Sequence, residues 1–118
     1  WAQAREVAKS IPMMEKAAAK SDEGELFVRL GNVYLDGDQF TKAADSVEKG
    51  LKKGGVKRPD QARLVLGMAY FNLGEYDKAR RAFRAAGKDD RSAKYSKQWI
   101  AYVTSEEDRQ RELEKDLF

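Results

Sequence analysis

Apolar residues recur along this chain at helical spacing. Leu30 and Tyr34 lie four apart, as do Ala43 and Val47, so each pair marks one face of a helix. Shifted by 36 residues, the pattern returns: Leu30-Gly31 falls on Leu66-Gly67, Tyr34 on Tyr70, Phe40 on Tyr76, Lys42-Ala43 on Lys78-Ala79 and Val47 on Phe83. Between the faces lie breakers, Asp36-Gly37-Asp38 in one copy and Asn72-Leu73-Gly74 in the other. Each copy therefore predicts two antiparallel helices joined by a tight turn. Gly31 and Gly67 fall inside helices, where glycine costs about 1 kcal/mol relative to alanine. That cost makes sense where a neighbouring helix crosses and leaves no room for a Cβ. An ordinary four-helix bundle, in which small residues also mark close crossings, is the alternative.

The flanks carry the same period less cleanly. Ala4, Val7, Ile11, Met14 and Ala18 form a stripe that Pro12 is expected to kink or split, and Met13 to Ala17 read as the end of a second helix. Asp22 and Glu25 stand at capping-box spacing before the next helix. Downstream, Trp99, Ile100, Tyr102 and Val103 predict the buried face of a further helix. Ser105 then caps a last, charged helix from Glu106 to about Leu117, with Asp108 at its third position. The expectation is an all-α array of about seven helices in one domain. Residues 1–22 form a partial repeat, 23–58 and 59–91 two full ones, and 92–118 a degenerate repeat whose helices cap the array.

Composition supports helices and removes several chemistries. Sixteen residues are Ala, whereas Val, Ile and Thr together fill only eleven positions, too few for several strands. With no Cys there is no disulfide framework, and with no His there is no Ser-His-Asp triad and no HExxH zinc site. No apolar run approaches the roughly 20 residues of a membrane span. The first six residues lack the basic and apolar regions of a signal peptide, and a start at Trp1 suggests a piece of a longer protein.

At these positions the chain resembles the tetratricopeptide-repeat family. The second copy matches its pattern through Leu66, Gly67, Tyr70, Gly74, Tyr76, Ala79, Phe83 and Ala86, and the first through Phe27, Leu30, Gly31, Tyr34, Phe40 and Ala43. Val47 and Gly50 depart from it, Arg63 replaces an aromatic, and the linker from Lys53 to Pro59 is longer than the family's. Upstream, Ala17 falls in the family's late alanine slot. The resemblance implies an α-solenoid whose first helices line a concave groove. It carries partner contacts onto Glu25, Val28, Asn32, Leu35 and Asp36, then Gln61, Leu64, Met68, Phe71 and Asn72. Asn32 alone matches the polar clamp that some members use for a terminal carboxylate. The groove is instead apolar, with Asn32 and Asn72 facing a peptide backbone. Either a partner peptide fills it, with Met68 and Phe71 as anchors, or the chain's own terminal helix or a missing upstream repeat covers it and makes these residues core.

The chain is further similar to the C-terminal end of a proteobacterial branch of that family. Gly24-Glu25-Leu26, Lys52 to Gly55, Arg58-Pro59, Leu66 to Ala69 and Gln98 to Tyr102 carry this likeness. It implies a periplasmic helper of an outer-membrane uptake system encoded beside TonB, ExbB and ExbD, the cytoplasm being the alternative location.

Charge sharpens the partner question. The net +3 conceals +9 across residues 49–97, against −5 across 21–48 and −3 across 98–118. This block includes Lys49, Lys52, Lys53, Lys57, Arg58, Arg63, Arg80, Arg81, Arg84, Lys88 and Arg91, and favours an acidic protein partner or plain solvation. No RNP-type aromatic motif accompanies it, which argues against nucleic acid. Asp36-Asp38 and Glu106-Glu107-Asp108 read as acids at helix starts and Asp89-Asp90 as a loop pair. None has the pattern of a metal loop, so neither metal, cofactor nor catalysis is expected. The sequence thus predicts a non-catalytic protein-interaction module, with self-association as the alternative.

Overall fold

The computed structural model describes residues 2–117, with side chains from Lys9 onward, so Trp1 and the side chains of Ala4 and Val7 lie outside the described residues. Six helices follow one another: α1 (Ala2–Lys20), α2 (Glu25–Asp36), α3 (Phe40–Lys53), α4 (Pro59–Asn72), α5 (Tyr76–Ala86) and α6 (Asp90–Leu117). The two repeats are the pairs α2–α3 and α4–α5. Further packing joins α1 to α2, α3 to α4 and α5 to α6. Because α2 also touches α4 and α4 touches α6, these three form one layer, with α1, α3 and α5 behind them.

The +36 register is physically real at the crossings. A Cβ placed on Gly31 would lie 2.4 Å from Val47 Cγ2, and one on Gly67 would lie 2.6 Å from the Phe83 ring. The small residue of each first helix thus receives the bulky residue of its own second helix. The two tyrosines repeat as well. Tyr34 donates to Glu15 on α1 and lies 5.8 Å from Lys42 Nζ, while Tyr70 donates to Glu48 on α3 and lies 5.5 Å from Lys78 Nζ. Burial, reinforced by the Glu15 carboxylate, pushes the Tyr34 phenol up to about 12. Burial and Glu48 move Tyr70 in the same direction. Helix α1 therefore packs on α2 through the same tyrosine–glutamate bond by which α3 packs on α4.

The turn between the helices of each pair uses a left-handed residue, Asp38 (φ 60°) in the first and Gly74 (φ 76°) in the second. The longer linker needs two more, Gly54 (φ 86°) and Gly55 (φ 71°), a conformation that costs glycine little. There the Gly54 carbonyl accepts from the Gly24 amide at 2.6 Å, pinning the linker to the start of α2.

Several expectations are corrected. The all-α array is as expected, its six described helices close to the seven or so predicted, but α6 runs unbroken for 28 residues. No Gly or Pro interrupts residues 90–117, so Ser105 stays helical and caps nothing. Ion pairs Arg109–Glu106, Arg111–Asp108 and Lys115–Glu112 support the exposed turns that follow, putting the acidic triplet inside the helix rather than at its start. Helix α1 passes unbroken through Pro12, which is exposed. Ala18 is buried and Ala17 exposed, one position from the expected slot. Glu25 starts α2 without a side-chain cap, so no capping box forms with Asp22. Asp36 ends α2 and Asp38 lies in the turn, whereas Asp89 caps α6 by accepting from the Arg91 amide at 2.9 Å.

One buried carboxylate ties α4 to α6. Asp60, 3% exposed, accepts from Arg58 Nη2 at 2.6 Å and from the Ser92 hydroxyl at 2.6 Å. The Arg58 guanidinium outweighs the opposing effect of burial and holds this carboxyl well below the usual carboxylate range. A depressed folded pKa stabilises above the ordinary value near ~4, and this stabilisation is lost as pH falls through the folded value. Asp60→Asn is expected to cost about 2 kcal/mol at pH 7, a moderate figure because water reaches Arg58. In urea melts the gap between wild type and variant closes on acidification below about pH 3. A gap that stays constant with pH would show that the carboxylate charge contributes nothing.

Candidate functional site

Helices α2 and α4 lie side by side in the front layer, and between them runs a groove of about 470 Å³. Its apolar surface comes from Val28, Ala62, Leu64, Val65 and Met68, and its polar surface from Asn32, Gln61, Glu25 and Arg29. Amphipathic packing sets this arrangement. Each helix turns Leu30, Tyr34 or Leu66, Ala69 into the core, and positions 28, 32, 64 and 68 form the neighbouring strip. On that strip Val28 still belongs to the core, and the half-buried Leu64 and Met68 also pack against the second core around Phe83. Val28 is itself buried and serves as floor, while Asn32 is exposed on the wall.

Of the residues expected at the partner site, Glu25, Val28, Asn32, Gln61, Leu64 and Met68 meet in this groove. Four do not line it. Leu35 packs against the first core, and Asp36 is exposed at the end of α2. Phe71 lies under an aromatic cluster, with ring centroids 6.0 Å from Tyr76, 6.1 Å from Trp99 and 5.3 Å from Tyr102. Asn72 donates its amide to the Met68 carbonyl at 2.8 Å, closing its own helix rather than facing a peptide. The two expected occupants thus divide the surface. Helix α6 covers the Phe71 end, and the α2–α4 groove stays open.

The groove also holds residues that sequence reasoning missed. Arg29 follows Glu25 by four and precedes Asn32 by three, a helical spacing that could have marked it. Lys57 and Arg58 arrive from the extended linker, whose extra length carries them to the rim. Arg58 is committed to Asp60, so Arg29 and Lys57 are the rim cations without a partner among the described residues.

This combination can hold an extended or helical peptide. Apolar side chains enter between Val28, Leu64 and Met68, while the Asn32 and Gln61 amides can both donate to and accept from a backbone. Among the described residues no group of three His, Cys, Asp or Glu is placed to hold a metal ion, and no helix is long and apolar enough to cross a membrane.

Residues 28–93 match the family model described as tetratricopeptide repeat. A search of curated proteins finds no match for the chain.

Proposed function

This chain belongs to the tetratricopeptide-repeat family, and from that premise we propose that it binds a segment of a partner protein in the α2–α4 groove. Such repeats generally mediate protein–protein interaction and are generally non-catalytic. The observation that carries the finer reading is the groove itself, where positions from both repeats converge on one open strip. Two packed helix pairs hold that strip rigid, so binding orders the partner and leaves the module as it is. The short likenesses at Gly24 to Leu26, Lys52 to Gly55 and Gln98 to Tyr102 support a partner in a periplasmic TonB-type uptake complex.

Asn32→Arg together with Met68→Arg tests the assignment, since both side chains border the groove. Copurification of the partner with the full protein is expected to fall about tenfold, at unchanged helical content. Undiminished recovery would remove the groove from the account.

Self-association is the second reading, favoured by Leu113 and Leu117, which are 46% and 77% exposed on the last turns of α6. A mass in solution that doubles with concentration, and falls back with Leu113→Lys, would support it. A monomer at every concentration supports the groove reading.

A further inference from the structure

We propose that the outer face of α5 is a second docking surface, separate from the groove, and that it takes an acidic protein segment bearing an aliphatic side chain. Lys78, Arg81, Arg84 and Lys88 follow one another at intervals of three or four, so they form a single stripe along α5 and the turn after it. The buried residues Ala79, Ala82, Phe83 and Ala86 occupy the opposite side.

The first repeat supplies the internal control. Thirty-six positions earlier the same stripe of α3 reads Lys42, Asp45, Glu48 and Lys52, two cations and two anions. A solvated outer face is therefore built in this fold without net charge. The second repeat replaces both acids with arginine, and like charges three or four apart on a helix destabilise it. Proximity to the C-terminal end of α5 favours Arg84 and Lys88 but does nothing for Arg81 in mid-helix.

Pairing within the chain sets this stripe apart from most of the block's other arginines but not from its lysines. Lys49, Lys52, Lys57, Lys94 and Lys97 are also exposed and without an ion pair among the described residues. Arg58, Arg80 and Arg91 are tied to carboxylates, and Lys53 donates to the Ala18 and Ala19 carbonyls. Lys78 pairs with Glu75 at 3.0 Å. Arg81, Arg84 and Lys88 are exposed and have no ion pair among the described residues. Arg63, equally unpaired, adjoins Lys88 at a depression whose acids, Asp60 and Asp89, already have arginine partners.

Beside the stripe a cleft of about 430 Å³ opens between α3 and α5, floored by Leu66, Tyr70 and Ala82. It is edged by Lys78 and Arg81 on one side and on the other by Glu48, whose carboxylate accepts from the Tyr70 hydroxyl. Helices α3 and α5 do not pack on each other, which leaves this cleft open. A phosphate backbone has no use for an apolar notch. The ring beside the stripe, Tyr70, is half-buried, with Lys78 Nζ 5.5 Å from its centroid and its hydroxyl given to Glu48, which leaves no open face on which a base can stack. An acidic segment with one leucine satisfies both features.

The test uses the intact chain and a fluorescent 12-residue peptide of Glu and Asp with one central Leu, followed by anisotropy at low salt. The peptide is expected to bind, to lose affinity steeply with added salt, and to bind at least tenfold more weakly to Arg81→Glu/Arg84→Glu. Arg81→Gln/Arg84→Gln should fall between, and provides the reading if charge reversal impairs folding. Replacing the peptide's Leu by Ser should also weaken binding. Equal binding without the leucine, no effect of either variant, or no binding at low salt would overturn the proposal. So would tighter binding of a single-stranded oligonucleotide of equal charge, which would make the stripe a nucleic-acid surface.

Discussion

Phe83→Ala is expected to lower stability by about 3–5 kcal/mol, the largest single loss from any side-chain truncation in this chain. The ring is fully buried, at 0% exposure. On one side it lies against Gly67, and on the other it stacks on Trp99 with centroids 5.1 Å apart and planes 10° apart. It therefore joins three helices, α4, α5 and α6, at one point. Truncation removes the transfer free energy of the ring and leaves a cavity that the stiff neighbours cannot close. For a chain of this size the melting temperature should fall by roughly 10–20 °C. Urea unfolding checks it: a loss below about 1 kcal/mol would mean that α6 does not dock on Phe83.

Gly67→Val probes the same contact from the other side. A Cβ there would stand 2.6–2.8 Å from three atoms of the Phe83 ring, closer than carbon atoms approach. The ring cannot retreat, because Trp99 stacks behind it. Overpacking of this kind costs about 1–3 kcal/mol and occasionally more, and the immobile ring places this case at or above the upper end. The two substitutions are also expected to be strongly non-additive. With Phe83 already reduced to Ala, the valine methyls enter vacated space, and Gly67→Val should cost less than about 1 kcal/mol. Simple addition of the two losses in a double-mutant cycle would contradict the crossing.

How much of this could be read from the chain alone depends on how local the determinant is. The crossings were legible because each is a pair of positions, Gly31 with Val47 and Gly67 with Phe83, repeated at one offset. Asn32, Leu64 and Met68 were placed at the groove by the resemblance, since the repeat fixes which face of a first helix looks outward. Phe71 was misplaced for the opposite reason. Its cover comes from Trp99 and Tyr102, and nothing within α4 announces them. Length misled in α6. Ser105 has the residue type of a cap, but without Gly or Pro the helix continues into turns that carry ion pairs such as Arg109–Glu106. Asp60 stands in the first turn of α4, where an acid is ordinary, and nothing in the neighbouring sequence marks it as buried. Its buried role depends on Ser92, 32 residues away.

The charge pattern became specific once its local pairs were known. Of the fourteen cations in the central block, Arg58, Arg80 and Arg91 are held by Asp60, Asp77, Asp89 and Glu107, and among the rest Arg81, Arg84 and Lys88 line up without ion pairs on the outer face of α5. The open groove and this stripe lie on different faces, so one module can meet a partner on its front layer and an acidic segment behind.

The most direct measurement is site-specific photocrosslinking of the full protein in its native cell. A photoreactive residue is placed at Asn32 or Gln61 in the groove, and at Thr41 outside it as the control. Groove capture predicts one discrete adduct with a partner protein at both groove positions, absent from the control and lost with Met68→Arg. Equal labelling at all three positions, or adducts only between copies of this chain, would contradict it.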